Sequence, residues 1–318
     1  MWRWVLRRLL WAAFLAWGVA SLIFLVINAI PGDPVVIILG EAGGPGHDDA
    51  AARELREQLG LDRPLPIRYA RWLGGLLTGN LGRSLYTNVP VTRELAEKFP
   101  RTLYLVVPAV VLGILAGVPL GVFTATRRGT AWDGVTNALG LLGYSLPVYI
   151  TGSLLAYLLG VRWRLLPVSG YVDPAVDPLG FARHGLLPIL CLAGTVLPIA
   201  MRMTRTTMLD VLGEDYIRTA RAKGLSPRNV IYRHGLRNAL IPVIVVIGLQ
   251  LGYMFGGTVL TELVFSWPGL STYLFFGIFK RDYPVVQGVI LVLSLIYILI
   301  NLLIDLSYGL LDPRIRYS

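Results

Sequence analysis

An all-α polytopic membrane protein of six transmembrane helices, with both termini cytoplasmic, is the fold class that three features of this sequence predict. First, 55% of the 318 residues are hydrophobic and only 15% are charged, against about 25% charged in soluble domains, and the mean hydropathy is +0.63. A soluble domain of this length could not hide that much apolar surface from water, whereas a bilayer accepts it. Second, six apolar runs are each long enough to cross the ~30 Å hydrocarbon core, which takes about 20 helical residues. Third, arginines concentrate on alternate connecting segments.

The first run, residues 9–29, follows Arg3, Arg7 and Arg8, as a secretory signal would. Its apolar part exceeds the usual h-region of about 7–15 residues, and it closes in Ile30-Pro31-Gly32-Asp33-Pro34 instead of a small-x-small site. It reads as a retained span. Runs 102–125 and 135–161 contain no charge, and Pro147 is placed to kink the second of them. Run 185–201 is the shortest, 240–260 is the fifth, and 285–311 carries one acid, Asp305. Backbone groups in lipid must be satisfied internally, so all six are helices.

The connecting segments set the orientation. The N-terminus, the turn with Arg127 and Arg128, the loop 203–239 and the tail with Arg314 and Arg316 are basic. Residues 31–100, 162–184 and 261–284 carry arginines that acids nearly balance. The basic side is cytoplasmic. The chain thus divides into a first helix (1–30), an extracytoplasmic insertion (31–100), a five-helix transmembrane domain (101–311) containing the cytoplasmic loop 203–239, and a cytoplasmic tail (312–318). Within the insertion a helix is expected at 50–59, capped by Asp48 and Asp49 and ended by Gly60. Leu61-Asp62-Arg63-Pro64 is a turn, and 66–77 is amphipathic, with Tyr69, Trp72 and Leu73 on its apolar side. Cys191, the one cysteine, falls in an apolar run and reads as a small buried hydrophobe.

The loop before the fifth span carries the most information. Glu214 and Asp215 suit a helix N-terminus, Arg221 and Lys223 its C-terminus, and Gly224 the residue just beyond it. Ser226 is an N-cap and Pro227 the first residue of the next helix. A short exposed helix over Asp215, Tyr216, Arg218, Thr219, Ala220, Arg221, Ala222, Lys223 and Gly224 is therefore expected between two sharp breaks. Ala220 and Gly224, four apart, form a small-residue face that Tyr216 and Thr219 flank. Such a helix fits either a groove on a partner protein or a solvated loop obeying the positive-inside rule.

Residues 215–242 (DYIRTARAKGLSPRNVIYRHGLRNALIP) resemble the cytoplasmic signature of ATP-binding-cassette importer permeases, most of all the branch that imports dipeptides, oligopeptides and nickel. The similarity extends to Pro31–Pro34, Leu59–Pro64, Tyr69–Leu73, Leu166–Tyr171, Phe265–Leu270, Arg281–Gly288 and Asp305–Arg314. It implies a type I importer transmembrane domain in a prokaryotic inner membrane. The helix from Asp215 to Gly224 would be the coupling helix, seated in a cleft of a separate ATPase and transmitting its closure to the spans. The implied partners are a second homologous permease, two ATPase subunits that hold ATP and Mg, an extracytoplasmic binding protein and membrane lipid. Peptides are the implied cargo, with nickel or another small solute as the alternative. Two features depart from the wider superfamily: Arg218, Thr219 and Ala220 stand where it has Glu-Ala-Ala, and the interval from Gly224 to Pro242 is longer.

Other classes lack their chemistry here. A phosphate-binding P-loop needs Lys followed by Ser or Thr, but Lys98 precedes Phe99, Lys223 precedes Gly224 and Lys280 precedes Arg281. No cofactor or metal is expected on this chain, and no catalytic residue. His47, His184 and His234 lie in three different loops, and Gly143-Tyr144-Ser145-Leu146-Pro147 lacks the second glycine of a serine elbow. The spans lack midplane charges and no inverted repeat is evident, which argues against a secondary transporter. The basic loop lacks interleaved aromatics, so no nucleic-acid partner is expected. Tyr144, Ser145, Pro147, Gln250 and Asn301 are the polar or kinking residues at membrane depth that could line a translocation path, or simply bond helix to helix.

Overall fold

The computed structural model describes residues 2–29, 35, 53, 56 and 62–311. The expected helix at 50–59 (Arg53 and Arg56 excepted), the Pro31–Pro34 stretch, residues 59–61 and the tail 312–318 lie outside the described residues, as does His47. Among the described residues every regular element is helical, and the one extended pairing is an isolated bridge between Arg83 and Pro90.

In chain order the helices are α1 (Trp2–Ala29), α2 (Leu65–Leu77), α3 (Val91–Thr126), α4 (Ala131–Ser145) and α5 (Val148–Leu155), which runs on into a π-type turn, Ala156–Arg162. They continue with α6 (Pro178–Leu212), α7 (Asp215–Ala222), α8 (Pro227–Gly257), α9 (Val259–Val264), α10 (Leu270–Phe279) and α11 (Tyr283–Leu311). Five of these, α1, α3, α6, α8 and α11, are long and apolar enough to cross a membrane. The apolar run at 135–161 becomes a broken element. The helices on either side of Leu146 and Pro147 are bent by 98°, so together they account for at most one further span. Proline at 147 has no N–H to donate and fixes its own φ, and Leu146 before it turns extended, with ψ 124°.

The fourth run proves longer than its apolar window. It extends to 35 residues because Asp177 caps it, accepting the Gly180 N–H at 2.9 Å, and Pro178 is preset as its first residue. Residues 203–212, expected in a loop, are therefore helical.

The chain forms two compact units. One comprises Met1–Leu6, Arg101–Pro268 and Leu299–Ser318. Its helices α3 and α6 pack closely along Gly113, Gly117 and Gly121 of α3, where an added Cβ would stand 2.6–2.8 Å from Val196, the Leu197 carbonyl, Ala200, the Met201 carbonyl and Thr204 of α6. Small residues every fourth position let two backbones meet, which is how helices associate without a hydrophobic gradient to drive them. Cys191 is buried with Ala156, Leu187 and Phe265, its thiol donating to the Val148 carbonyl at 3.2 Å. An aromatic knot closes one end. Trp267 is fully buried, its ring meets Tyr171 edge-on at 5.0 Å, and its Nε1 donates to the Arg101 carbonyl at 2.9 Å. The Gly170 N–H donates to the Phe265 carbonyl at 2.9 Å, which joins the Leu166–Tyr171 stretch to residues 265–267.

The other unit comprises Arg7–Pro100 and Gly269–Ile298. The apolar side of α2 is used as the sequence suggests: Tyr69 and Trp72 each pack at 5.3 Å from Phe24 of α1, and the Tyr69 hydroxyl meets Ser21 Oγ at 2.6 Å. Val91, Leu95, Leu270, Val285 and Val289 form a second core. Asp282 ties this unit together. Its carboxylate accepts from Ser84 Oγ at 2.5 Å and the Leu85 N–H at 3.1 Å, and it caps α11 by accepting from the Val285 N–H at 3.4 Å.

Candidate functional site

The helix α7 forms where the sequence places it. Asp215 sits in its first turn and pairs with Arg218, and Arg221 sits in its last. Its C-terminus is a Schellman turn: the Leu225 N–H reaches the Ala220 carbonyl at 3.4 Å and the Gly224 N–H the Arg221 carbonyl at 3.0 Å. Gly224 has φ +77°, and a Cβ added to it would meet nothing within 4 Å, so glycine stands there for its backbone conformation and not for close packing. Ser226 Oγ accepts the Asn229 N–H at 3.4 Å and Pro227 opens α8.

Of the two small residues, Gly224 is exposed and Ala220 is not. Ala220 is 7% exposed and Ile217 fully buried, and both pack on Val230 and Leu212 of the same chain. Ala220 therefore corrects the docking face drawn from the sequence: its small side chain lets α7 lie close to its own chain. The exposed face carries Asp215, Tyr216, Arg218, Thr219, Arg221, Ala222, Lys223 and Gly224. Ile217 and Ala220 thus join α7 to Leu212 at the end of α6 and to Val230 at the start of α8. The Tyr216 hydroxyl adds a second link by accepting from Asn238 Nδ2 at 2.8 Å. A π-type turn, Val230–Leu236, follows directly.

Two clefts flank α8. One, of about 570 Å³, is lined by Tyr216, Arg233, His234, Arg237 and Asn238 at one end and by Leu240, Ile241 and Ile244 at the other. The other, of about 330 Å³, is lined by residues of α4, α6 and α8, among them Asn137, Arg202, Thr206 and Val246.

Of the described side chains singled out for a translocation path, Ser145, Pro147, Gln250 and Asn301, none is among the residues lining either cleft. Ser145 is exposed and donates to the Leu141 carbonyl of its own helix at 2.8 Å. Pro147 is exposed at the break between α4 and α5, while Gln250 and Asn301 are half-buried on α8 and α11. The side chain of Tyr144 lies outside the described part.

Three features escaped the sequence reading. Asp133, 7% exposed, holds Arg205 of α6 through both carboxylate oxygens, at 2.8 and 2.9 Å, and accepts Asn137 Nδ2 at 2.7 Å. Glu262, fully buried on α9, accepts from Thr102 Oγ1 at 2.8 Å. Both acids fell just outside the apolar windows and so passed as loop residues. The Gly113-x3-Gly117-x3-Gly121 spacing was the signal available for the third feature, the close contact of α3 and α6. Among the described residues no group of three or more His, Cys, Asp or Glu is placed to hold a metal ion.

Comparison with known proteins bears on this arrangement. Residues 117–317 match the family described as "Binding-protein-dependent transport system inner membrane component", and residues 1–106 match its N-terminal family. The dipeptide transport system permease protein DppB of Escherichia coli (strain K12) is 42% identical over 341 aligned positions, covering 100% of both chains. The di/tripeptide transport system permease protein DppB of Pseudomonas aeruginosa (strain UCBPP-PA14) is 43% identical, covering 95% of both. The glutathione transport system permease protein GsiC of Salmonella paratyphi A (strain ATCC 9150 / SARB42) is 39% identical over 100% of both. The fold is shared with a chain of the MetNI methionine ABC transporter, solved in inward-facing conformations, at a TM-score of 0.57 and 19% identity over 69% of this chain and 96% of that one.

Proposed function

The chain belongs to the family of binding-protein-dependent transport system inner membrane components, and from that premise we propose that it is the pore-forming permease of an ATP-driven importer of peptides. The observation that carries the cargo assignment is end-to-end similarity, 42% over all of both chains, to a dipeptide permease. The relation to a glutathione permease fits the same class, since glutathione is itself a small peptide.

In this reading the chain does no chemistry. A second permease completes the pore, two separate ATPase subunits hold nucleotide, and an extracytoplasmic binding protein delivers cargo. The exposed face of α7, on the cytoplasmic side, receives the ATPase. Closure of the ATPase dimer displaces α7, and the buried Ile217 and Ala220 carry that displacement into α6 and α8, exchanging inward- and outward-open states. The cleft between α4, α6 and α8 supports a cargo path better than the residues singled out from sequence, because the polar Arg202 and Asn137 line it.

Uptake of labelled dipeptide, tripeptide, glutathione and nickel by cells carrying the whole transporter, with and without this chain, tests the proposal. Loss of dipeptide or tripeptide uptake on deletion is expected. Loss of nickel uptake alone would reassign the cargo, and no loss of any would refute the transport role.

A further inference from the structure

We infer that the cleft between α7 and the start of α8 is a binding site for an anionic glycerophospholipid. Arg233 and Arg237 line it one helical turn apart, both exposed, and neither makes an ion pair among the described residues. Like charges four apart on a helix repel, and an anion seated between them relieves that repulsion. A guanidinium fork matches phosphate oxygens, and His234, Asn238 and the Tyr216 hydroxyl add polar groups beside it, with no acid in the lining.

The order of residues along α8 selects the source of the phosphate. Between positions 233 and 238 the lining residues Arg233, His234, Arg237 and Asn238 are polar, and positions 240–244 contribute Leu240, Ile241 and Ile244. At ~1.5 Å per residue the polar part spans about 7 Å. That is close to the headgroup layer on one side of a bilayer, about 5–7 Å from its total and hydrocarbon thicknesses. The aliphatic part then enters the hydrocarbon. A free phosphate would satisfy the arginines and leave the aliphatic half of the 570 Å³ cleft bare, whereas a lipid fills both ends. Basic pockets at the membrane boundary bind anionic headgroups in this way. The occupant touches Tyr216, which belongs to α7 and bonds Asn238, so lipid charge reaches the same helix that the ATPase is proposed to engage.

The site is tested on the assembled transporter in nanodiscs of phosphatidylethanolamine with and without phosphatidylglycerol, reading retained lipid by native mass spectrometry. Wild type should retain phosphatidylglycerol. The Arg233→Gln/Arg237→Gln variant should bind it roughly thirtyfold more weakly, from the loss of two surface contacts, and the Arg233→Lys/Arg237→Lys variant should recover most of the binding. Soluble glycerol phosphate should not displace it. Unchanged retention in the Gln variant, displacement by glycerol phosphate, or crosslinking of Arg237→Cys to an ATPase subunit in place of lipid would each overturn the inference. Lipid retention is read without cargo, so its failure leaves the import reading standing and the reverse also holds.

Discussion

Asp133 and Arg205 lie 72 positions apart and meet through both carboxylate oxygens, with Arg205 keeping 24% side-chain exposure. Asp133 also accepts the Gly129 N–H at 3.1 Å, so one carboxylate secures the turn before α4 and fastens α4 to α6. Removing one partner of such an ion pair is costly, because the other stays part-buried and unmatched. Asp133→Asn should lower the stability of the detergent-solubilised protein by about 2 kcal/mol. The double variant Asp133→Asn/Arg205→Met should recover part of that loss. A thermal unfolding series checks both, and an unshifted midpoint for the single variant would show that the pair contributes nothing net. Gly224 makes the contrasting point: its role follows from a φ of +77° alone, which any residue with a Cβ adopts at a cost of about 1 kcal/mol.

At the scale of the element, α7 has two faces with separable duties. Ala220→Leu inserts bulk between α7 and Val230 and should destabilise the protein by about 1–3 kcal/mol, lowering its level in the membrane. Thr219→Trp adds bulk on the exposed face, where no core residue is met, and should leave the level unchanged while ATP hydrolysis continues without uptake. Measuring membrane level, hydrolysis and uptake on both variants separates the duties; if Thr219→Trp transports normally, the exposed face does not receive the ATPase. The break in α4–α5 is also an element-level property. An uncharged run of 27 residues reads as one helix by hydropathy, yet Pro147 and the extended residue before it turn the chain through 98°.

For the whole molecule, a multi-pass inner-membrane permease component follows from the family and from the long apolar helices. Orientation is the property left to experiment. In a Cys191→Ala background, Val176→Cys, 84% exposed in the segment before α6, should react with an impermeant maleimide in intact spheroplasts. Ala222→Cys on α7 should react only in inverted vesicles. The opposite pattern would reverse the assignment of sides and remove α7 from reach of a cytoplasmic ATPase.

Hydropathy and local backbone chemistry are properties of neighbouring residues, and everything built from them was readable in the linear chain. That covers the apolar runs, the breaks at Ser226 and Gly224, the amphipathic α2 and the existence of α7. The direction in which Ala220 faces, the pairing of Asp133 with Arg205, the burial of Glu262 against Thr102 and the knot of Trp267 with Tyr171 were not readable there. The last three depend on contacts between residues 72 to 160 positions apart, and the first on how α7 packs against Leu212 and Val230; a polar residue just outside an apolar window carries no local mark of the helix it will meet. Periodicity tells which residues share a face of α7; only the packing of Val230 and Leu212 settles which face turns inward.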